Sequence, residues 1–134
     1  FADVLEHLRD PWGILKAVRG LLLPNGIAIA SIPNVRHIST LYRLAIKGEW
    51  PYRDRGIHDK NHLRFFTKKN ILKLFEDAGF EVERLSSNCR VIEKPHPLND
   101  YSRLVEVPLI KDFFTFQYIV VGKVKESAAR RLLA

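Results

Sequence analysis

A helix, a tight turn and a short apolar strand follow one another between residues 11 and 32. Asp10 can cap the helix and Pro11 can fill its first turn, where the missing proline N–H is not needed. Apolar residues then recur at helical spacing, at Ile14, Leu15, Val18, Leu21 and Leu22. The turn is Pro24-Asn25-Gly26, and Ile27 to Ile32 is the continuous apolar run expected of a strand buried on both faces. This order predicts an α/β fold with a parallel sheet and crossover helices.

Two more helices and two more strands are predicted downstream. One helix covers residues 35–47 and stops at Gly48, and Thr67 is a good cap for another that ends before Gly79. Residues 80–85 alternate between apolar and polar side chains, which predicts a strand with one solvated face. The clearest strand is the last one, from Phe114 to Lys123.

The connection between these two strands, from Ser86 to Asp112, contains prolines at positions 95, 97 and 108 that break any long element. A short helix is predicted around Asp100 to Val105, and residues 124–134 are predicted to form a tail. Because no long crossover helix joins the two strands, an antiparallel pairing of the last strand is favoured.

Polar residues follow the places where predicted strands end. The chain opens with an Asp-x-x-Glu-His cluster at residues 3–7, and Asn34 follows the apolar strand. In open α/β sheets, ligands bind outside the carboxyl ends of the strands, so both positions belong to a predicted ligand rim. Residues 50–66 mix aromatic and charged side chains without a regular period, which is typical of a lid over such a rim.

The net positive charge raises the question of an anionic partner. The chain has 22 Lys and Arg against 15 Asp and Glu, which gives a net charge of +7. Because the basic residues are scattered, without a run of five, solvated surface charge is favoured over a nucleic-acid partner. Cys89 is the lone cysteine, which excludes an internal disulfide and fits a cytoplasmic protein. The apolar runs are far shorter than the ~18 residues of a membrane span.

Few residues have the spacing of a catalytic site. The seven glycines include no closely spaced pair of the kind that cradles a phosphate, so no nucleotide loop is predicted. His58 and His62 are four residues apart, but their segment does not have the pattern of a helix, and no metal site is predicted. His7 next to Glu6 is either an acid–base pair or a purely structural side chain, since adjacent helical residues point apart.

Four motifs in register resemble one family. In chain order they are Asp3-Val4-Leu5-Glu6-His7-Leu8-x-Asp10-Pro11, then Leu22-x-Pro24-x-Gly26 before a strand ending Ser31-Ile32-Pro33-Asn34, then Gly56-x-x-Asp59-x-x-His62-x-x-Phe65-Phe66-Thr67, and finally Ala78-Gly79-Phe80. Each motif is weak alone. Together, over about residues 1–85, they resemble the C-terminal half of class I S-adenosylmethionine-dependent methyltransferases, and the nearest group includes the ubiquinone-biosynthesis O-methyltransferases.

The resemblance implies a partial Rossmann-like methyltransferase sheet. The chain would hold a stub of the fourth strand and then the fifth, sixth and seventh, with the seventh inserted antiparallel between the fifth and sixth. Residues 1–123 would be the C-terminal portion of one methyltransferase domain, residues 35–66 its lid or substrate-side insertion, and residues 124–134 a tail.

The resemblance also implies site residues and a cofactor, S-adenosylmethionine. Residues that follow the fourth strand lie along the cofactor in this family, which points to Ala2, Asp3, Val4 and His7. Residues on the side of a small-molecule methyl acceptor would be Asn34, His58 and Arg64. His62 would be the catalytic base where the acceptor nucleophile carries a proton.

The glycine-rich loop and the ribose-binding acid of the family are not found in this sequence. We therefore expect a chain that lacks the N-terminal half of the domain and is inactive without it. Two competing hypotheses remain at this stage. One is a nucleic-acid-binding module that uses residues 50–66. The other is a non-catalytic homo-oligomer that pairs through the open edge of the fourth strand.

Overall fold

Three strands form the sheet of this protein. The computed structural model describes residues 1–90, 97, 99 and 107–125. Strand β1 spans Ile27–Pro33, β2 spans Phe80–Cys89 and β3 spans Thr115–Val124. In these residues the strand order is β1-β3-β2, and β3 runs antiparallel to both neighbours. The predicted antiparallel insertion of the last strand between the other two is confirmed.

The first residues of the chain run beside β1 in the same direction. Ala2 forms a parallel bridge with Ser31, and the Ser31 N–H donates to the Phe1 carbonyl over 2.9 Å. The terminal ammonium of Phe1 donates to the Ile29 carbonyl over 2.7 Å. This short pairing corresponds to the predicted strand stub, and it brings the carboxyl ends of two parallel segments to one edge of the sheet.

Side-chain hydrogen bonds mark the starts of two helices. Helix α1 spans Pro11–Leu21, and the Asp10 carboxylate accepts a first-turn backbone N–H over 2.9 Å. Helix α3 spans Lys68–Asp77 and begins with a capping box in which Thr67 and Asn70 each accept a backbone N–H of the other residue. Both predicted caps are confirmed.

The helix predicted over residues 35–47 starts later and changes its winding. Helix α2 spans Ile38–Tyr42, with the His37 ring accepting a backbone N–H as its cap, and the chain continues as a π-helix over Arg43–Lys47. Gly48 ends it with a φ of 63°. This left-handed conformation is strained for residues with a Cβ, so the predicted glycine stop is confirmed for a conformational reason.

The last helix leads directly into β3. Helix α4 spans Pro108–Phe114. The short helix predicted around residues 100–105 lies outside the described residues, as does the predicted tail from residue 126 onward. Strand β2 continues to Cys89, past its predicted end at Leu85. No helix in the described part of the chain is long and apolar enough to cross a membrane.

One apolar core joins the sheet to α1 and α3. It consists of Leu5, Leu15, Ala28, Ala30, Ile32, Phe66, Ile71, Leu74, Phe75, Ala78, Phe80, Tyr118 and Val120. Strand β1 buries alternate residues only: Ile27 and Ile29 are 51% and 48% exposed. The prediction of a strand buried on both faces is therefore wrong for these residues, because none of the described elements covers the second face.

Candidate active site

Asp3 lies at the edge of the sheet where β1 ends and β3 begins. Its N–H donates to Ser31 Oγ over 3.1 Å, and Ser31 Oγ donates back to Asp3 Oδ1 over 3.3 Å. The Gln117 side-chain amide donates to the same oxygen. Asp3 has a φ of 52°, which is unfavourable for a non-glycine residue. These hydrogen bonds fix the turn after the strand stub to both neighbouring strands.

A segment distant in sequence is fixed on this turn. A short 3-10 helix spans Leu5–His7. Within it, the Glu6 carbonyl accepts the backbone N–H groups of Leu63 and Arg64 over 2.8 and 3.0 Å. The predicted lid, residues 50–66, is therefore attached to the rim by main-chain hydrogen bonds, and its side chains lie next to those of the 3-10 helix.

A tight turn in the lid presents a carbonyl to His7. Asp59 Oδ1 accepts the backbone and side-chain N–H groups of Asn61 over 2.8 and 3.0 Å, and the backbone hydrogen bond lowers the pKa of Asp59. Nδ1 of His7 lies 3.2 Å from the Asn61 carbonyl oxygen. Because a carbonyl only accepts, Nδ1 of His7 carries a proton and donates it to this hydrogen bond.

His62 is held in the same way. Its Nδ1 lies 3.2 Å from the Ile57 carbonyl oxygen and so donates to it. Its Nε2 lies 3.9 Å from Glu6 Oε1, and its ring lies edge-on to that of His7 with 4.6 Å between centroids. Burial lowers the pKa of His62. The ring is therefore neutral at pH 7, with an Nε2 lone pair that can accept a proton.

Glu6 is the most unusual side chain of the group. It is 1% exposed, and in the described part of the chain neither carboxylate oxygen has a hydrogen-bond partner. Burial raises its pKa from 4.5 to about 7, because a charge is poorly solvated in the interior. Its own backbone N–H and the nearby His7 oppose the rise, whereas the Asp3 and Asp59 carboxylates add to it.

These groups line a pocket of about 680 Å³, a size typical of small-molecule sites. Its acidic and imidazole walls come from Asp3, Glu6, His7, Asp59 and His62. Arg53, Arg55, Arg90, Phe116 and Gln117 contribute further walls. The pocket thus combines a neutral imidazole, a buried carboxyl and guanidinium groups at the carboxyl edge of β1, which suits proton transfer from a polar small molecule.

The predicted site residues divide into two groups. Asp3, His7 and His62 line the pocket, whereas Ala2, Val4 and Arg64 are not among its walls. The Arg64 guanidinium donates to backbone carbonyls of Arg9 and Leu63 instead.

Two predicted acceptor-binding residues are buried in the fold. The Asn34 amide donates to the carbonyls of Asp112 and Thr115, both over 2.8 Å. His58 is fully buried, with Nε2 3.1 Å from the Thr40 hydroxyl and its ring 5.0 Å from that of Trp50. These contacts support the packing of β1, α2 and the lid, and contact of either residue with an acceptor stays a prediction.

Sequence reasoning did not select Glu6, Arg90 or Gln117 of the pocket as site residues. Glu6 was recognised only as a neighbour of His7, because nothing local in sequence indicates that its carboxyl is buried. Arg90 and Gln117 come from the end of β2 and the start of β3. The antiparallel register of those strands could have located Gln117, since it pairs with Pro33 at the end of β1.

Comparison with known proteins now gives the family. The sequence profile of a family described as "Methyltransferase domain" matches residues 1–85. This chain belongs to that methyltransferase family. The resemblance predicted from the four motifs is confirmed.

Curated relatives of this methyltransferase domain carry the name ubiquinone biosynthesis O-methyltransferase. The protein from Psychrobacter arcticus is 36% identical over 80 residues, which are 58% of this chain and 30% of the relative. The protein from Ruegeria pomeroyi is 35% identical over 82 residues, which are 59% of this chain and 32% of the relative. The match thus spans about a third of the length of these relatives.

Solved structures share the fold of this methyltransferase domain. A methyltransferase from Mesorhizobium loti, described as S-adenosylmethionine dependent, has a TM-score of 0.53 at 17% sequence identity. The superposed part is 91% of this chain and 59% of the Mesorhizobium loti chain. A chain in a complex between the Haloferax volcanii Trm112 methyltransferase activator and a methyltransferase has a TM-score of 0.55 at 13% sequence identity. The superposed part is 93% of this chain and 52% of that chain. The partial Rossmann-like methyltransferase fold is confirmed.

Proposed function

We propose that this domain takes part in the transfer of a methyl group from S-adenosylmethionine to a hydroxyl group of a small molecule. The observation that carries the proposal is the pocket at the carboxyl edge of β1, in a chain whose residues 1–85 match the methyltransferase family. The relatives named as O-methyltransferases favour oxygen as the acceptor atom. The nucleic-acid and non-catalytic alternatives have no comparable support.

The donor would lie along the turn that follows the strand stub. Ala2, Asp3, Val4 and His7 would border it chiefly through backbone and wall contacts, since the Asp3 carboxylate already accepts from Ser31 and Gln117. When bound, the donor supplies an electrophilic methyl group on sulfur. The residues of this chain contribute alignment and exclusion of water.

His62 would remove the proton of the acceptor hydroxyl. Its Nδ1 is fixed by the Ile57 carbonyl, so the proton is accepted at Nε2. The lowered pKa of His62 keeps this nitrogen unprotonated at neutral pH. Glu6, 3.9 Å away, would stabilise the imidazolium that forms, provided that its carboxyl is ionised. The roles of Asn34, His58 and Arg64 on the acceptor side stay predictions.

An NMR titration tests the donor site. We expect S-adenosylhomocysteine, the product of the donor, to bind weakly and to shift the backbone amides of residues 2–7 selectively. Amides of the exposed α3 surface, such as Lys73 and Asp77, serve as the internal control. If millimolar ligand leaves residues 2–7 unmoved, or shifts both regions equally, the proposed donor site is wrong.

A transfer assay with phenolic acceptors, carried out on the domain with its N-terminal half present, tests His62. Loss of a general base slows the chemical step by roughly 10²–10⁴-fold, so His62→Gln should lower kcat by that range. The surface change Asp77→Asn should leave kcat unchanged, because Asp77 pairs only with Lys73 on α3 among the residues described. Full activity of His62→Gln would exclude His62 as the base.

Several broader predictions accompany the proposal. The domain limits at residues 1–123, the lid at residues 35–66 and the tail at 124–134 stay predictions, as does the need for an N-terminal half. A cytoplasmic location stays a prediction based on the lone Cys89. Association of copies through the open sheet edge also stays a prediction.

A further inference from the structure

Three of the described arginines line the pocket beside its acidic and imidazole side chains: Arg53, Arg55 and Arg90. We propose that these arginines, with Arg55 as the main contact, bind an anionic group of the methyl acceptor, either a carboxylate or a phosphate. A guanidinium is charged at every physiological pH and presents its N–H donors in a planar fork that matches such oxyanions. The inference rests on the proposed function and deepens it by naming the chemical class of the acceptor.

The ring of Phe116 connects the lid with Arg90. The guanidinium carbon of Arg90 lies 4.3–5 Å class distance from this ring in a cation–π contact, at 4.6 Å from the centroid. On the lid side, a Cβ at Gly56 would lie 4.0 Å from Cζ of Phe116, so the backbone next to Arg55 reaches the same ring. Arg55 and Arg90, far apart in the sequence, therefore enter the pocket near one aromatic ring.

Backbone hydrogen bonds fix the positions of two of the arginines. The Arg53 N–H donates to the His58 carbonyl over 2.9 Å, and the Arg53 carbonyl accepts the Lys60 N–H over 2.8 Å. The Arg90 N–H donates to the Phe114 carbonyl over 2.8 Å. Because their backbone is already ordered, these residues lose less conformational entropy when a ligand binds than a mobile loop would.

The acidic side chains of the pocket are engaged by other groups. Asp3 and Asp59 accept hydrogen bonds from neutral side chains or a backbone N–H, and Asp54 pairs with Lys60 over 2.7 Å. Burial raises the pKa of Glu6 to about 7, so this carboxyl does not carry a full negative charge at neutral pH. The acids therefore oppose an incoming anion less than their number suggests.

Arg55 is the most accessible of the three arginines. It is exposed, and none of the carboxylates that the structure describes pairs with it. An oxyanion would thus gain a charge-assisted hydrogen bond without breaking an ion pair between described residues. Another part of the same molecule would present its hydroxyl to Nε2 of His62, which lines the same pocket. This arrangement favours a hydroxy acid or a hydroxyl-bearing phosphate over a neutral acceptor.

Three matched phenols test the anion site in solution: 3-hydroxybenzoate, 3-hydroxyphenyl phosphate and the neutral 3-hydroxybenzamide. In NMR titrations of the chain, we expect at least one of the anions to bind about 10-fold more tightly than the amide, because hydrogen bonds to charged groups are stronger than those between neutral groups. The backbone amides of Arg55 and Gly56 should shift selectively. The anion that binds more tightly identifies the oxyanion as carboxylate or phosphate.

Substitution of Arg55 should remove this preference. Arg55→Gln should weaken anion binding by about 10-fold and leave binding of the amide unchanged, whereas Arg55→Lys, which keeps the charge but loses the planar fork, should have an intermediate effect. The matched control is Arg84→Gln, which removes an exposed positive charge from β2 at a residue that is not a pocket wall. It should bind all three phenols as the wild type does.

The inference is overturned if the amide binds as tightly as both anions, or if Arg55→Gln weakens binding of the amide and the anions equally. It is also overturned if Arg84→Gln has the same effect as Arg55→Gln. Loss of S-adenosylhomocysteine binding in Arg55→Gln, with anion binding unchanged, would assign this arginine to the donor and refute the inference as well.

Methyl transfer separates this inference from the proposed function. If the domain with its N-terminal half present methylates the amide as readily as the anions, the anion site is wrong and the proposed function stands. If the anions bind selectively but no phenol is methylated, the proposed function is wrong and the anion site stands.

Discussion

Replacing Glu6 with glutamine should change how the stability of the protein depends on pH. Glutamine has nearly the shape of the protonated carboxyl and cannot ionise. Wild-type Glu6 has a pKa of about 7 in the fold and 4.5 as its ordinary value. The folded state therefore binds more protons than the unfolded state between these values, so its stability is full below pH 4.5 and falls as the pH rises through 7.

The expected size follows from the two pKa values. At 1.36 kcal/mol for each pKa unit, the difference between 4.5 and about 7 corresponds to about 3 kcal/mol. Glu6→Gln should thus match the wild type near pH 4.5 and exceed its free energy of unfolding by about 3 kcal/mol at pH 8. The physical reason is that the wild-type chain must bury an unpaired negative charge at high pH, whereas the variant does not.

His62 changes the stability of the protein in the opposite direction with pH. Burial lowers its pKa, so the folded state is fully stable with respect to His62 above pH 6.5, the ordinary pKa of the ring. This stability is lost as the pH falls through and below that value. Because Glu6 Oε1 lies 3.9 Å from Nε2 of His62, replacing Glu6 also affects the protonation of His62. At pH 7 and above, the lowered pKa keeps His62 neutral in both proteins, so the difference between variant and wild type there reports on Glu6.

Urea unfolding at pH 5, 6, 7 and 8, with EDTA present, provides the measurement. The free energy difference between Glu6→Gln and wild type should grow from pH 5 to pH 7 and level off by pH 8. Glu76→Gln, which changes an exposed carboxylate on α3, should show almost no difference at any pH. A Glu6→Gln difference that stays constant from pH 5 to pH 8 would refute the conclusion that this carboxyl is buried and unpaired.

Four further substitutions test the packing that supports the site. Gly122→Ala should destabilise by about 1–3 kcal/mol, because its Cβ would lie 2.5 Å from the Phe75 ring, whereas Gly20→Ala, with no atom within 4 Å, should stabilise by up to about 1 kcal/mol. Thr67→Ala should cost about 1 kcal/mol through loss of the α3 capping box. Asn34→Leu should cost about 1–3 kcal/mol, because two carbonyls lose the amide. Urea unfolding measures each, and a reversed sign would contradict the contact concerned.

The elements of the fold could be predicted where their causes are local. Asp10 and Thr67 cap their helices through side-chain hydrogen bonds to residues three positions away, so the sequence pattern contains the whole interaction. Gly48 ends the π-helix for an equally local reason, its positive φ. The antiparallel direction of β3 could be predicted because prolines break any long crossover helix before it, whereas its place between β1 and β2 was implied by the resemblance to the methyltransferase family.

The sequence does not predict which faces of a strand or helix are covered by other elements. The apolar run of β1 predicted burial on both faces, yet Ile27 and Ile29 are about half exposed. Hydrophobicity shows that a strand can be buried on both sides, but only the arrangement of the helices decides which sides are covered. The same limit applies to His58 and Asn34, whose polar groups suggested a ligand site but are hydrogen-bonded within the fold.

The sequence by itself therefore determined the order of the strands, the helix caps and the family, and it singled out Asp3, His7 and His62, whose roles stay predictions. Only the tertiary structure decided that Glu6 is buried and lies beside His62. The reason is physical: the pKa and the ligand geometry of a side chain depend on the atoms around it, and here those atoms come from a lid more than fifty residues away.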